Sequence, residues 1–461
     1  MHPPQIESIP YRTDSSELFA YFAPENWAIF LDSGFPYTKQ GRYDIFSIKP
    51  TTTLLTYGAQ TTIETSNQSL ISLEDPFVLI QKYLPSTTEN PLNLPFIGGA
   101  LGYFSYDLSR RYIPINTQTA PKPSLPDMAI GIYESCVIVD HQEQCTYVLT
   151  PSPPFKDQAF WEDFKEFAKQ PRCLKLAKSD FKLLSPFKAN FSQQSYQSAF
   201  NKIQSYLSAG DCYQVNLTQC FSTQASGSPW QAYQRLRSKN PAPFAAFLNF
   251  PEVAILCCSP ERFLHSQQGF IETKPIKGTI QRVDNPEHDQ ALRIALAESP
   301  KDRAENLMIV DLLRNDLGKS CQPGSITVPQ FCQLESFNTV HHLVSTIQGQ
   351  LTPPHTALSA LQACFPGGSI TGAPKLRAMQ IIEELEPQRR GIYCGSIGYY
   401  SVDQQMDSNI VIRTAIWHDH HLYCAAGGGI ITDSQWETEF AESLLKIAPL
   451  LNFFENLNNG N

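Results

Sequence analysis

Two pairs of carboxylates at helical spacing are the first residues in this sequence whose types suggest chemistry. Asp302 and Glu305 lie three positions apart, and so do Glu439 and Glu442. Residues three apart share one face of a helix. On two facing helices the four side chains would repel unless a cation lay between them, and Mg²⁺ suits such a site because it needs few carboxylates and keeps its waters. The alternative is two solvated helix faces, which the spacing alone favours.

A lysine in an apolar setting is the second candidate. Lys277 stands between Ile276 and Gly278, shortly after Glu261. Partial burial would lower the pKa of this amine and free it as a nucleophile, and a buried Glu261 could stay protonated as a general acid. The simpler alternative, which these residues alone favour, is an ion pair between Lys277 and Glu261.

Two glycine-rich segments could receive an anionic ligand. Residues 365–375 lead directly into a predicted helix, and residues 425–429 end a predicted strand. Glycines allow a ligand to approach backbone N–H groups closely, although ordinary turns also explain them. Neither segment matches a P-loop or a dinucleotide-binding fingerprint. Lys375 and Arg413 add single positive charges nearby, which favours a small dianion over a polymer.

The elements that must position these residues alternate irregularly between strands and helices. Short β-rich runs fill residues 1–150, residues 151–190 form a crossing segment, and residues 191–461 mix strands with helices. Strands that follow one another predict antiparallel sheets with helices packed outside them, an α+β fold. The patterns also predict one long helix from Asn285 to Leu317 and one strand from Asn409 to Trp417.

Composition and charge exclude several classes of protein. Of the 461 residues, 42% are hydrophobic and 17% are charged, which is typical of a globular chain. The net charge of −9 disfavours a nucleic-acid binder. There is no apolar run near 18 residues and no secretory-signal layout, so we expect no membrane segment. The 12 cysteines form no CxxC pair, and we expect reduced thiols in a cytoplasmic protein.

Four strings in the second half of the chain carry a resemblance to a known family. They are residues 208–217, 302–312, 340–345 and 365–375. With them, the chain from about residue 191 to residue 451 resembles the chorismate-utilising enzymes, which include anthranilate, isochorismate and salicylate synthases. The resemblance implies two large antiparallel β-sheets packed as a sandwich, with helices on the outside, and a requirement for Mg²⁺.

One position selects among the reactions of this family. The string Pro-Ile-Lys-Gly-Thr at residues 275–279 resembles members that aminate chorismate on the way to 4-aminobenzoate and folate, whereas anthranilate synthases place alanine at the lysine. The resemblance implies that Lys277 attacks C2 of chorismate while the C4 hydroxyl leaves with a proton from Glu261. Ammonia then adds at C4 and expels the lysine, which gives 4-amino-4-deoxychorismate.

The resemblance also implies binding residues. The direct Mg²⁺ ligands would be Glu305 and Glu442, with Asp302 and Glu439 in the outer shell. His342 would orient the substrate, next to His341, which has no expected role. The substrate contacts would be Thr279, Lys375, Tyr393, Arg413, Gly427, Gly428 and Gly429. A tryptophan pocket would be formed by Ser33, Arg42, Tyr43, Pro243, Phe244 and Ala245.

We expect the ammonia for this reaction to come from a separate protein. Glutamine hydrolysis needs an activated cysteine with a histidine partner, and residues 391–395 resemble such a site only superficially. We therefore expect a partner subunit that is a glutamine amidotransferase. Two alternatives stay open: an anthranilate synthase, which has no need of Lys277, and a catalytically silent regulator that binds tryptophan.

Overall fold

A computed structural model of the protein describes residues 4–38, 41–116, 119–170, 180–337 and 340–458. The strands of these residues are β1 (Gln5–Ile9), β2 (Ala28–Asp32), β3 (Tyr43–Ser47), β4 (Thr52–Tyr57), β5 (Gln60–Thr65), β6 (Ser69–Ser72), β7 (Gly99–Phe104), β8 (Met128–Tyr133), β9 (Cys136–Asp140), β10 (Cys145–Thr150), β11 (Lys182–Leu183), β12 (Lys188–Ala189), β13 (Gln214–Ser226), β14 (Phe244–Asn249), β15 (Ala254–Ser259), β16 (Arg262–Gln267), β17 (Phe270–Thr273), β18 (Ile276–Gln281), β19 (Thr327–Ser336), β20 (Val340–Gln350), β21 (Gly372–Ala373), β22 (Ser396–Ser401), β23 (Met406–Asn409), β24 (Thr414–His418) and β25 (His421–Ile430).

The α-helices of the same residues are α1 (Ser16–Phe19), α2 (Pro76–Tyr83), α3 (Gln158–Lys169), α4 (Gln193–Ser208), α5 (Pro229–Lys239), α6 (Pro286–Glu298), α7 (Pro300–Gly318), α8 (Ala357–Cys364), α9 (Lys375–Leu385) and α10 (Trp436–Asn458). Short 3₁₀ helices cover Tyr106–Arg111 and Gly368–Ile370. None of the helices in the described ranges is both long and apolar enough to cross a membrane.

The strands form two large sheets. The first has the order β1-β10-β9-β3-β2-β14-β15-β24-β25-β13-β11, with β12 and β21 also paired to β13. The second has the order β18-β20-β17-β16-β23-β22-β7-β8-β4-β5-β6, with β19 also paired to β20. The pairings within the described residues are antiparallel, which confirms the predicted α+β class.

Both sheets combine strands from the first 150 residues with strands that follow residue 191. In the first sheet β2 pairs with β14, and in the second β7 pairs with β22. One apolar cluster joins the facing sides of the two sheets, with Ile29 and Ile255 from the first packing near Leu101 and Ile397 from the second. Three further clusters among the described residues lie under helices on the outer sides. This is a sandwich whose core is continuous across both parts of the chain.

Strand β14 illustrates how the sequence builds these layers. Its side chains alternate between faces, as the pleat requires. Ala245 and Phe247 belong to one of the clusters under the outer helices, whereas Ala246 and Leu248 belong to the cluster between the sheets. Because both faces of the strand are buried, all four positions are apolar, and the run shows no alternation of polar and apolar residues.

Some predicted elements are confirmed and two are wrong. Helix α4 follows Ser192, whose Oγ accepts a hydrogen bond from Ser195 N at 3.1 Å, as the predicted N-cap requires. The predicted single helix from Asn285 to Leu317 is two helices, because Pro300 lacks an N–H and begins α7 after the cap Ser299.

The predicted single strand from Asn409 to Trp417 is also divided. Strand β23 ends at Asn409 in the second sheet, and β24 begins at Thr414 in the first. Between them Arg413 has a φ of 49°, a left-handed conformation that a strand does not adopt. This crossing between the sheets brings Arg413 to the cavity described next.

Candidate active site

A cavity of about 380 Å³ lies where β13 and β25 of the first sheet meet β18 and β20 of the second, with α7 and α10 beside it. Most of the residues predicted to act on a ligand line this cavity, although they come from distant parts of the sequence. The predicted residues that line it are Glu261, Lys277, Thr279, Asp302, Glu305, His342, Tyr393, Arg413, Gly427, Gly428, Gly429, Glu439 and Glu442.

The amine of Lys277 faces this cavity from strand β18. Its Nζ donates a hydrogen bond to the carbonyl of Ser369 at 3.3 Å. Within the described residues no carboxylate lies within 4.0 Å of the amine, so the alternative of an ion pair with Glu261 is not formed. Burial lowers the pKa of Lys277, and the charge of Glu305 opposes that shift. The surroundings therefore make this amine easier to deprotonate than that of an exposed lysine.

The carboxyl of Glu261 is buried beside the side chain of the same serine. The residue directly precedes β16 and is only 6% exposed. Burial raises the pKa of Glu261 to about 7, while a hydrogen bond from the side chain of Ser369 and the charge of Lys277 oppose the shift. A carboxyl with this pKa holds its proton for a large fraction of the time at neutral pH, as a general acid must.

Four carboxylates approach the cavity from two helices. Asp302 and Glu305 lie near the start of α7, and Glu439 and Glu442 lie near the start of α10. Lys301 Nζ bridges the helices at 3.9 Å from Glu305 Oε1 and 4.0 Å from Glu439 Oε1. The two predicted pairs thus line one cavity, whereas their spacing alone favoured two solvated helix faces.

The charges of these carboxylates are unevenly compensated. Burial is the main cause that raises the pKa of Glu305 and of Glu439. Burial also acts on Glu442, but Lys446 Nζ lies 2.6 Å from its Oε1, and the pKa of Glu442 is lowered overall. In the described part of the chain Glu305 accepts no hydrogen bond, and Lys301 is its nearest ion-pair partner. A further cation would stabilise it.

The donor set fits Mg²⁺. The described residues contain no group of three or more His, Cys, Asp or Glu side chains already gathered as a metal site. Mg²⁺ does not need one, because it commonly binds through one or two carboxylates, waters and oxygens of its ligand. A Cβ on Gly428 would lie 3.2 Å from Glu439 Oε2 and 3.5 Å from Glu442 Oε1. The absence of a side chain there leaves room beside both carboxylates.

The histidine of the cavity is neutral. Thr279 Oγ1 and His342 Nδ1 form a hydrogen bond of 2.8 Å. Burial is the main cause that lowers the pKa of His342 to about 4, and the charge of Arg413 adds to it. Its neighbour His341 points away from the cavity, with Nε2 3.1 Å from Asp289 Oδ1. An uncharged imidazole can hold a ligand in place without taking part in proton transfer at neutral pH.

Arg413 supplies a positive charge that no carboxylate among the described residues pairs with. Its guanidinium makes no hydrogen bond or ion pair to the described residues. Burial lowers the pKa of Arg413 from its ordinary value, but an arginine stays protonated. A free guanidinium in a cavity is a site for a carboxylate, which it can bind through two parallel hydrogen bonds.

The family described as chorismate binding enzyme has a sequence profile that matches residues 32–452. The chain belongs to this family.

Chorismate-binding enzymes of two kinds are similar to the chain. It is 45% identical over 462 residues to aminodeoxychorismate synthase component 1 of Klebsiella aerogenes, covering 99% of this chain and 100% of that protein. It is 35% identical to anthranilate synthase component 1 of Aquifex aeolicus, covering 82% and 78%. The crystal structure of anthranilate synthase component I from Streptococcus pneumoniae superposes with a TM-score of 0.80 at 30% identity, over 89% of this chain and 92% of that one.

One residue predicted to contact chorismate does not line the cavity. Lys375 Nζ donates instead to Asp316 Oδ2 at 2.5 Å and to the carbonyl of Cys364 at 2.7 Å. Both of its acceptors lie outside the cavity lining. The prediction took the residue type and the neighbouring glycines into account, but not the buried carboxylate 59 positions earlier.

A second cavity, of about 210 Å³, contains the residues predicted to bind tryptophan. Ser33, Arg42, Tyr43, Pro243, Phe244 and Ala245 all line it. Strands of both sheets contribute to its wall. Arg262 of the second sheet adds a guanidinium 5.0 Å from the centre of the Phe244 ring. The structure therefore gathers this predicted set into one pocket separate from the first.

Several cavity residues were missed in the sequence. Lys301 lies four positions before Glu305, and Lys446 lies four positions after Glu442, so helical spacing could have found both. Ser369 lies within residues 365–375, the glycine-rich segment already identified from the sequence. By contrast, Asn216 and Thr218 enter the site because β13 pairs with the glycines of β25, and no local pattern predicts that pairing.

Proposed function

We propose that the chain acts as an aminodeoxychorismate synthase component 1, a transaminase-type transferase that converts chorismate and ammonia into 4-amino-4-deoxychorismate for 4-aminobenzoate and folate. The observation that carries this proposal is Lys277: its amine faces the cavity, has a lowered pKa and has no carboxylate partner within 4.0 Å among the described residues. The similarity to relatives of that name over nearly the whole chain supports the same reaction.

In the first step Lys277 and Glu261 act on opposite ends of the reacting system. The neutral amine forms a bond to C2 of chorismate, both ring double bonds shift by one position around the ring toward C4, and the bond between C4 and its hydroxyl breaks. Glu261 gives its proton to the departing oxygen, which leaves as water, and Glu261 becomes a carboxylate. The lysine nitrogen is then a secondary ammonium, attached covalently to the ring.

In the second step ammonia reverses the displacement. It forms a bond to C4, both double bonds shift back to their original positions, and Lys277 leaves C2 as a neutral amine. The new ammonium group on C4 returns one proton to Glu261, so both residues regain their starting states. Two displacements replace one difficult exchange of hydroxyl for amine, which is the usual advantage of covalent catalysis.

The remaining cavity residues would bind the substrate. Arg413 and Tyr393 would hold the enolpyruvyl carboxylate, and the backbone of Gly427–Gly429 would hold the ring carboxylate. The neutral pair Thr279 and His342 would orient the ring. Glu305 and Glu442 would hold Mg²⁺, with Asp302 and Glu439 around it, and the ion when bound would neutralise the ring carboxylate.

The proposal includes two further binding partners. A glutamine amidotransferase subunit would supply ammonia, in keeping with the word component in the names of the relatives. Tryptophan would occupy the second cavity, whose apolar walls and guanidinium groups suit an aromatic amino acid.

Product analysis tests the proposed reaction. The chain is incubated with chorismate, MgCl₂ and ammonium chloride, and the products are separated by liquid chromatography with mass detection. We expect chorismate to be replaced by its 4-amino-4-deoxy derivative, and Lys277→Ala to lose that activity. Fluorescent anthranilate as the main product would show the alternative synthase, and a chain that consumes no chorismate would favour the silent regulator.

A further inference from the structure

The segment between α8 and α9 carries one residue into the centre of the cavity. Within residues 365–374, the carbonyl of Ser369 accepts hydrogen bonds from Lys277 Nζ at 3.3 Å and from Asn216 Nδ2 at 3.1 Å. The side chain of Ser369 interacts with the carboxyl of Glu261. The position of Ser369 therefore affects both the amine of Lys277 and the carboxyl of Glu261.

A single side chain fixes both ends of this segment. Lys375, the first residue of α9, donates a 2.7 Å hydrogen bond to the carbonyl of Cys364, the last residue of α8. The same ammonium donates to Asp316 Oδ2, in the last turn of α7. Lys375 thus closes residues 365–374 into a loop and attaches the loop to a helix that also carries Glu305.

The segment packs tightly on that helix between its fixed ends. A Cβ on Gly368 would lie 2.7 Å from Leu312 Cδ2 of α7, so the backbone already rests against the helix. Further along, the carbonyl of Ile370 accepts a hydrogen bond of 2.7 Å from Arg390. A shift of the ends would therefore move the segment that holds Ser369, because the interior has little free space.

The ion pair that holds the ends is buried. The Lys375 side chain is 12% exposed and that of Asp316 is 1% exposed. Removing one partner of such a pair weakens the compensation of the other charge, and the surroundings must then rearrange. Lys319 also contacts Asp316, at 2.9 Å from Oδ1, but its side chain is 49% exposed and it bonds to Ala363 instead of Cys364. It is therefore a matched control.

We propose that Lys375, paired with Asp316, is a positioning residue that keeps Ser369 in contact with both Glu261 and Lys277. Lys375 acts through the loop and does not touch chorismate. Its expected role as a substrate contact is replaced by this one. The inference rests on the proposed function for its effect on turnover. The contacts of Lys375 with Asp316 and with the carbonyl of Cys364, called the clamp below, are a property of the folded chain itself.

Hydrogen exchange and steady-state kinetics test the clamp together. Lys375→Met, Asp316→Asn, the double variant and Lys319→Met are prepared, and their folding is verified by circular dichroism. We expect faster amide exchange in the peptide covering residues 365–374 for the first three. We also expect kcat to fall by about tenfold or more while KM for chorismate changes by less than about threefold. The double variant should be no worse than the single ones, and Lys319→Met should match the wild type.

Several outcomes would overturn the clamp. A raised KM with unchanged kcat in Lys375→Met, and none in Asp316→Asn, would make Lys375 a substrate contact. Additive losses in the double variant, or unchanged exchange in the segment, would show that the pair does not hold the loop. If the wild type failed to aminate chorismate, the proposed function would fail, and the exchange measurements alone would decide whether the clamp exists.

Discussion

Burial gives two ordinary side chains unusual proton affinities in the same cavity. It raises the pKa of Glu261 to about 7 and lowers that of Lys277, so that each moves toward the uncharged form. An ion pair between them would have stabilised the charged forms instead. The sequence allowed both outcomes, because the choice depends on where the Ser369 carbonyl lies, and that residue is 92 positions from Lys277.

The raised pKa of Glu261 predicts a pH-dependent effect on stability. The folded chain holds this proton more tightly than the unfolded chain, so the favourable contribution is present at low pH and is lost as the pH rises through about 7. Relative to Glu261→Gln, the wild type should lose about 3 kcal/mol of unfolding free energy between pH 5 and pH 8.5.

Urea unfolding followed by tryptophan fluorescence measures this difference at each pH. A difference between Glu261→Gln and the wild type that stays constant from pH 5 to pH 8.5 would mean that the Glu261 carboxyl is ionised throughout the range. It would then not be available as an acid at neutral pH.

At the scale of elements, short-range spacing predicted helix faces and a helix cap correctly, whereas no pattern in the sequence predicted which distant elements meet. The carboxylates of α7 and α10 could be assigned to two helix faces from their spacing of three, and the cap of α4 from one serine. That the two helices meet at one cavity depends on how β25 and β18 are ordered in their sheets. Pro300 is a helix-breaking residue that the sequence shows, but the apolar spacing continues on both sides of it and therefore predicted a single helix.

The helix carboxylates predict a specific loss of metal response. Glu305→Gln removes a partly buried negative charge whose ion-pair partner among the described residues is Lys301, at 3.9 Å, with the charge of Lys277 also acting on it. The Mg²⁺ concentration that gives half-maximal chorismate amination should rise about tenfold or more. Asp311→Asn is the control, since its side chain lies on the same helix and is 78% exposed. An equal Mg²⁺ requirement in Glu305→Gln and the wild type would remove Glu305 from the metal site.

At the scale of the whole molecule, strands of both sheets line each of the two cavities described above. Adjacent residues separate them: Glu261 lines the catalytic cavity, and Arg262 lines the second one. Strands from both parts of the chain form the second cavity, since β2, β3 and β14 face β22 and β23. The sequence could indicate its residues only through a family resemblance, because strand order in a large antiparallel sheet has no local signature.

The second cavity predicts a stabilising ligand. L-Tryptophan should raise the thermal unfolding midpoint in proportion to its occupancy, since a ligand bound only by the folded state stabilises it. Phe244→Ala should weaken this shift, whereas Phe270→Ala, at an exposed position of the second sheet, should leave it unchanged. Differential scanning calorimetry with L- and D-tryptophan makes the comparison. Equal shifts from both enantiomers, or none from either, would contradict a specific tryptophan site.

The covalent step at Lys277 is the claim on which the reaction depends most directly. The chain is incubated with chorismate and MgCl₂ in the absence of ammonia, digested and mapped by mass spectrometry, with Lys274 of the same digest as the internal comparison. We expect the peptide containing Lys277 to carry chorismate less one water, and the adduct to disappear when ammonium chloride is added. A Lys277 that stays unmodified while the chain still aminates chorismate would contradict the account.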